Sequence, residues 1–200
     1  MMNKRFYRQI IEMVLAGAFA VILAYLGKMF ENQNMIYFEA LSLLSLIWIT
    51  LRHGAASGII SGALSGLCLS LMTFGFSQLA VAIVLGMFPY LSVGLAGFFS
   101  KYSQKTLNNS RYSSTYLNIF TASFLVTLVF TILRTHILMQ VVELAPKFML
   151  TDMTLWLNIL GWSLFIGLIL SILARLNPKS IIPKRSKYLS RHETSSLLND

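Results

Sequence analysis

Long apolar runs separated by short polar stretches dominate the sequence. Six such runs lie at residues 9–27, 36–51, 54–73, 79–99, 117–141 and 154–175. Most of them approach the roughly 20 residues that a helix needs to cross the hydrocarbon core of a bilayer. The pattern therefore predicts an all-α membrane protein with six transmembrane helices.

The third run, GAASGIISGALSGLCLSLM at residues 54–72, repeats small residues at a spacing of four and contains no charge. The two sets of small residues are Gly54, Gly58, Gly62 and Gly66, and Ser57, Ser61 and Ser65. Residues four apart lie on one face of a helix, and small residues there let two helix backbones approach closely. We expect the glycine face of this helix to pack inside the bundle.

The distribution of charge orients the chain in the membrane. Of the 200 residues, 56% are hydrophobic and 12% are charged, whereas a soluble domain carries about 25% charged residues. The net charge of +9 does not indicate nucleic acid, because a cytoplasmic N-terminus places thirteen of the sixteen Lys and Arg residues on the inner side. The positive-inside rule selects this asymmetry. It predicts that both termini are cytoplasmic.

We expect one six-helix domain at residues 1–176 and a basic cytoplasmic tail at residues 177–200. The tail is expected to be disordered or to lie along the anionic inner leaflet. A cleavable signal peptide over residues 1–27 is an alternative, but it would leave five helices and an outer N-terminus. The chain has no internal repeat, which disfavours a stand-alone secondary transporter.

Polar side chains at membrane depth are the candidates for a substrate site, because they cost free energy unless a cavity or partner receives them. The candidates are Glu39, Tyr90, Arg134, His136, Gln140 and Asn158. All but Tyr90 fall toward the outer side, together with Trp156 and Trp162. This clustering by depth predicts a binding site that opens outward.

Each candidate also has a structural interpretation. Arg134 could snorkel to the interface or pair with Glu39 or Glu143. His136 could make an interhelical hydrogen bond, and Trp156 could belong to the aromatic belt at the interface.

The sequence contains no catalytic, nucleotide-binding or metal-binding motif, so we expect neither an enzyme nor a cofactor or metal site. Without a nucleotide-binding loop, energy for transport would come from an ion gradient or a partner protein. The single cysteine, Cys68, allows no intrachain disulfide.

The order of several motifs resembles a known family. They are the alanine-rich LAGAFAVILAYLG, then YFEALSLLSLIWITLRHG, AASGIISGALSGL, FPYLSVGLAGFFSKY, RTHILMQ and WLNILGWSLFIGLILSIL. Over roughly residues 5–180 the chain resembles the thiamine-specific substrate-binding subunit, or S component, of energy-coupling factor transporters (the ThiT or YuaJ type). The resemblance implies a six-helix, vitamin-binding protein of the bacterial plasma membrane.

The resemblance also implies partners, namely one transmembrane coupling protein and two cytoplasmic ATPases. In that picture the small-residue stripe of the first helix docks the coupling protein. The docking residues would be Val14 and Ala18, or the adjacent Ala16 and Ala20.

The chain departs from the family pattern at the site. The family has a Glu-Tyr pair on the fourth helix where this chain has Pro89 and Tyr90, and a tryptophan where it has Met35. His136 and Asn158 match a histidine and an asparagine of the family. Because a carboxylate is lost, a thiamine precursor or another vitamin remains an alternative ligand. A structural membrane protein of the rod-shape or assembly type is the alternative from a different class.

Overall fold

The computed structural model describes residues 4–29, 38–143, 148–184 and 186–189. Six long helices form the bundle: α1 Lys4–Met29, α2 Leu43–His53, α3 Ala55–Phe74, α4 Phe76–Asn108, α5 Tyr112–Val141 and α6 Met153–Leu176. A 3₁₀ turn, Phe38–Ser42, leads into α2, and a short helix α7, Pro178–Ile181, follows α6. The predicted all-α, six-helix membrane fold is confirmed.

Five of these helices are by themselves long and apolar enough to cross a membrane, and α2 is the exception among the described residues. α2 has 11 residues, and the 3₁₀ turn extends it at its outer end. At its other end Gly54 adopts φ 96° and donates its N–H to the Thr50 carbonyl at 2.7 Å. Because α3 starts at the next residue, Gly54 makes a tight turn there, and we call this end of the bundle the inner end, after the predicted orientation.

α3 packs against α1, α2 and α4, and both of its small-residue stripes are buried. The glycine face packs on α4, where a methyl group at Gly62 would lie 2.6 Å from the Tyr90 carbonyl oxygen. The serine face packs on α1, where Ser65 Oγ donates to the Gly17 carbonyl at 3.2 Å. The expectation that the glycine face packs inside the bundle is confirmed.

α1 turns one set of its alanines inward and the other outward. Ala16 and Ala20 are 2% and 0% exposed and lie in the core. Val14 is 59% exposed and Ala18 is also exposed. The structure therefore corrects part of the docking prediction, because a buried Ala16 and Ala20 present no surface to a partner, and it leaves Ala18.

α4 and α5 each contain a π-helical turn, Ile83–Met87 and Leu133–Ile137. Both turns lie in the outer half, and the last turn of α5 contacts the π turn of α4. Single π turns inside α-helices occur frequently at functional sites. The two π turns lie next to residues that the sequence predicted for the site. Tyr90 follows the π turn of α4, and the π turn of α5 contains Arg134 and His136.

The first part of the predicted tail packs onto the inner end instead of lying free. Ile181 and Ile182 are buried among the core residues, and Leu189 is 9% exposed. Ser186 Oγ donates to Gln104 Oε1 of α4 at 2.5 Å. The described residues between 178 and 189, which we call the C-terminal strap, therefore belong to the bundle. Residues 190–200 and Met35 lie outside the described residues.

Candidate functional site

A buried ion pair joins the start of α2 to the π turn of α5. Arg134 Nε donates to Glu39 Oε1 at 3.2 Å, and Arg134 Nη2 donates to Glu39 Oε2 at 3.3 Å. The two residues are only 7% and 4% exposed. Of the roles that the sequence left open for Arg134, the structure shows the pairing with Glu39. Its fork-to-fork geometry fixes the orientation of the carboxylate as well as its position.

Tyr90 of α4 lies next to this ion pair. Its hydroxyl lies 3.4 Å from Glu39 Oε1 and 3.0 Å from Ser42 Oγ. Ser42 Oγ donates its own proton to the Glu39 carbonyl at 2.7 Å, so the single proton of the Tyr90 hydroxyl is shared between Ser42 Oγ, the nearer acceptor, and Glu39 Oε1. Four side chains from three helices thus form one hydrogen-bonded cluster, which we call the outer cluster (Glu39, Ser42, Tyr90 and Arg134).

The outer cluster restores a pairing that the sequence had lost. The family resemblance implies a glutamate before the tyrosine of the fourth helix, and because this chain has Pro89 there we expected the carboxylate to be lost. In space, Glu39 brings its carboxylate to Tyr90 from a different helix. The tyrosine therefore keeps a carboxylate partner.

His136 and Gln140 lie outside the outer cluster. His136 is half-buried, and its Nδ1 lies 3.2 Å from the carbonyl oxygen of Phe148, which precedes α6, so the contact is with the connecting segment and not with a second helix. Gln140 is exposed one turn further along α5. Their position on the outer end of α5 agrees with the depth that the sequence predicted.

Asn158 lines a cavity of about 820 Å³ between the end of α1, the 3₁₀ turn and the outer half of α6. Its amide donates to the Thr154 carbonyl at 2.8 Å, which holds the side chain against its own helix. The wall is aromatic, because Phe38 and Trp162 meet edge to face with their centroids 5.5 Å apart. Trp156 lies away from this wall, is 40% exposed, and donates its indole N–H to the Leu150 carbonyl.

The cavity and the outer cluster are joined through the backbone. Phe38 forms the cavity wall and Glu39 is the next residue of the same 3₁₀ turn. A ligand that presses on Phe38 or Trp162 therefore acts on the segment that carries the carboxylate.

Sequence reasoning missed Ser42, Phe38 and Phe130 as parts of the site. Phe130 of α5 meets the Tyr90 ring edge to face at 4.8 Å. Ser42 had a weak signal, since it lies three residues after Glu39 on one helical turn. Phe38 and Phe130 had none, because they are apolar residues inside apolar runs.

The side chains at this site are suited to binding a ligand. The outer cluster offers a carboxylate, a guanidinium and two hydroxyls, and the cavity offers aromatic faces and an amide. Among the described residues, no three His, Cys, Asp or Glu side chains lie together as a metal site would need.

A second concave surface lies between α1 and α3. This groove has a volume of about 610 Å³ and is lined by apolar and small residues. Val14 and Ala18 form one side of it, and Ile60 and Leu64 form the other. Ile60 and Leu64 are 49% and 59% exposed, so the groove opens to the outside of the bundle.

Comparison with known proteins gives one family and one fold. The family model described as thiamine transporter protein (Thia_YuaJ) matches residues 10–142. No curated protein matches the chain. Among solved structures, ThiT from Listeria monocytogenes is similar with a TM-score of 0.74 and 18% sequence identity, and the match covers 90% of this chain and 100% of that one. At this identity the similarity shows that the fold is shared.

Proposed function

Because this chain belongs to the thiamine transporter protein family (Thia_YuaJ), we propose that it is the membrane-embedded S component that captures thiamine for an energy-coupling factor transporter. It is a multi-pass protein of the plasma membrane and a transporter subunit, not an enzyme. The family match favours neither a rod-shape protein nor an S component for a different vitamin.

The observation that carries the ligand proposal is the buried Glu39 carboxylate beside the aromatic cavity. Thiamine has a permanent positive charge on its thiazolium ring. A carboxylate stabilises such a charge at low dielectric, and the faces of Phe38 and Trp162 attract it through the ring quadrupole. Arg134 holds the carboxylate in place through two hydrogen bonds and offsets part of its negative charge. Asn158 supplies hydrogen-bonding groups to the rest of the ligand.

The remaining candidates contribute at the rim of this site. We propose that His136 and Gln140 face the entrance from the outer end of α5. Tyr90 is completely buried and acts through the Glu39 carboxylate.

Thiamine binding by the isolated chain tests this proposal. The purified protein in detergent is titrated with thiamine while tryptophan fluorescence is recorded. We expect a saturable change that Trp162→Phe abolishes and Trp156→Phe preserves, because Trp162 lines the cavity and Trp156 does not. Riboflavin serves as the non-cognate vitamin. A chain that is folded by circular dichroism and gives no response to thiamine would contradict the proposal.

The partners are proposed on the same basis. We propose that one transmembrane coupling protein docks in the groove between α1 and α3, and that two cytoplasmic ATPases bind that protein. The exposed Ala18 and the small residues Gly17 and Ser61 in the groove let a helix backbone approach closely.

Co-purification tests the docking surface. A tryptophan at Ala18 would fill the groove, so we expect Ala18→Trp to lose the coupling protein and the ATPases while it still binds thiamine. Leu117→Trp is the matched control, because Leu117 is 68% exposed on α5, away from the groove. Equal retention of the partners by both variants would place the docking surface elsewhere.

A further inference from the structure

Tyr90 is also contacted by residues of two helices that do not belong to the outer cluster. The side chain is completely buried, and its ring contacts both α3 and α5. Its hydroxyl is the part that reaches Ser42 and Glu39.

On the α3 side the contact is with Gly66. A methyl group at this position would lie 2.5 Å from Tyr90 Cδ2 and 2.5 Å from the Gly86 carbonyl oxygen. Gly86 belongs to the π turn of α4. The backbone of α4 and the Tyr90 ring therefore both lie close to the place where a side chain of residue 66 would begin. A side chain here must move the ring or separate the two helices.

On the α5 side the contact is with Phe130. Its ring meets the Tyr90 ring at an interplanar angle of 70° and a centroid distance of 4.8 Å, which is the edge-to-face geometry that aromatic pairs prefer. Phe130 is completely buried and lies four residues before Arg134, on the same face of α5. One face of α5 therefore holds both the ring of Tyr90 and the carboxylate of Glu39.

We propose that Gly66 and Phe130 are positioning residues for thiamine binding, which set the place of the Tyr90 hydroxyl and through it the Glu39 carboxylate. Neither touches the ligand. The inference rests on the proposed function, and it assigns the specificity of the site partly to the packing of α3 against α4.

The physical basis is the narrow range of a hydrogen bond. The Tyr90 hydroxyl lies 3.4 Å from Glu39 Oε1, already longer than the roughly 2.5–3.0 Å that is usual for a bond between a hydroxyl and an oxygen, so a small further displacement removes it. A methyl group at Gly66 needs almost an ångström more room to reach ordinary van der Waals distance. A ring that moves by that amount breaks the bond to Glu39 or the bond to Ser42.

A double-mutant cycle tests whether Gly66 acts through Tyr90. Thiamine affinity is measured for the wild type, Gly66→Ala, Tyr90→Phe and the double variant. We expect each single variant to raise Kd about tenfold, as the loss of one hydrogen bond to a charged group does, and the double variant to be little worse than either. Residues that act through one contact are non-additive in this way.

Two matched controls separate positioning from general packing. Gly58→Ala places the same methyl on the same face of α3, but it meets Thr50 instead of Tyr90, so we expect a lower melting midpoint with unchanged Kd. Phe130→Leu should weaken thiamine binding severalfold, whereas Phe124→Leu, on the partly exposed side of α5, should not.

The same cycle is also run on melting midpoints without ligand. Non-additive midpoints support the contact between Gly66 and Tyr90 even for a chain that binds no thiamine, a result that contradicts the proposed function alone. Multiplied Kd losses in the double variant, or equal Kd losses for Gly58→Ala and Gly66→Ala, would overturn the inference.

Discussion

Each end of the bundle contains a buried arginine paired with a glutamate, and the two pairs are built differently. At the inner end Arg52 Nε donates to Glu12 Oε2 at 2.7 Å. At the outer end the bonds from Arg134 to Glu39 are 3.2 and 3.3 Å long. Both arginines are 7% exposed, so burial alone does not separate them.

The inner pair belongs to a larger network that ties three segments together. Arg52 Nη1 donates to the carbonyls of Lys179 and Ser180 in the C-terminal strap at 2.6 and 2.7 Å. Glu12 also lies 2.9 Å from Arg8 Nε and 2.6 Å from His53 Nε2. Short bonds with many partners lock α1, α2 and the strap into one arrangement.

The outer pair lies beside a cavity, its arginine belongs to the π turn of α5, and it depends on longer bonds. The contrast shows that an ionisable residue at membrane depth is not by itself a sign of a ligand. The surroundings of such a residue indicate its role. Arg52, Glu12 and their partners, which we call the inner cluster, are joined to backbone carbonyls, whereas the outer cluster adjoins an aromatic cavity. We therefore expect substitutions at the inner end to change stability alone, and substitutions at the outer end to change affinity as well as stability.

Replacement of Arg52 should have the largest effect on stability. Arg52→Met leaves Glu12 without its main buried partner and removes one donor from each of two strap carbonyls. Breaking a buried ion pair by removing one side costs about 3–5 kcal/mol, so we expect a large fall in the melting midpoint and a thiamine Kd close to that of the wild type.

Arg8→Met provides the control for that loss. Arg8 contacts the same glutamate, but its side chain is 63% exposed, and exposed pairs contribute little. Comparable destabilisation by both variants would show that the inner cluster is not specifically anchored by Arg52.

Removal of the charge at Glu39 should have the largest effect on affinity. Glu39→Gln keeps the size of the side chain and removes the anion, and a hydrogen bond to a charged group contributes about 1.5–3 kcal/mol. We expect Kd for thiamine to rise roughly 10- to 100-fold, as measured by fluorescence titration. The same change at the inner end, Glu12→Gln, should lower the melting midpoint and leave Kd unchanged. If Glu12→Gln weakens binding as strongly as Glu39→Gln, the two ends are coupled and the contrast between them fails.

The helices could be predicted from the sequence because hydrophobic runs of membrane length have few other folds. The depth of Glu39, Arg134 and Asn158 could also be predicted, since position along a spanning helix fixes depth. The sequence could not predict which of these side chains contact one another, because contact depends on how α2 and α5 are rotated about their axes.

Two other features could not be predicted from the sequence for the same reason. The alanines of α1 repeat at several phases, and only packing decides that Ala16 and Ala20 face inward while Ala18 faces outward. The strap contains Ile181 and Ile182 among basic residues, so its composition indicates a solvated tail. The carbonyl groups that receive Arg52 and Trp48 have no signature in the sequence.

Replacement of Ser42 should have the smallest effect on affinity. Its hydroxyl lies between the Glu39 carbonyl and the Tyr90 hydroxyl, so Ser42→Ala removes one neutral partner of Tyr90 and leaves the ion pair intact. Since a neutral hydrogen bond contributes about 0.5–1.5 kcal/mol, we expect Kd for thiamine to rise roughly two- to tenfold. Ser45→Ala is the matched control, because Ser45 is also buried and its Oγ donates to the Ser42 carbonyl at 3.3 Å, away from Tyr90. Equal affinities for the two variants would mean that the Tyr90 hydroxyl is held by Glu39 alone, and the outer cluster would then reduce to three residues.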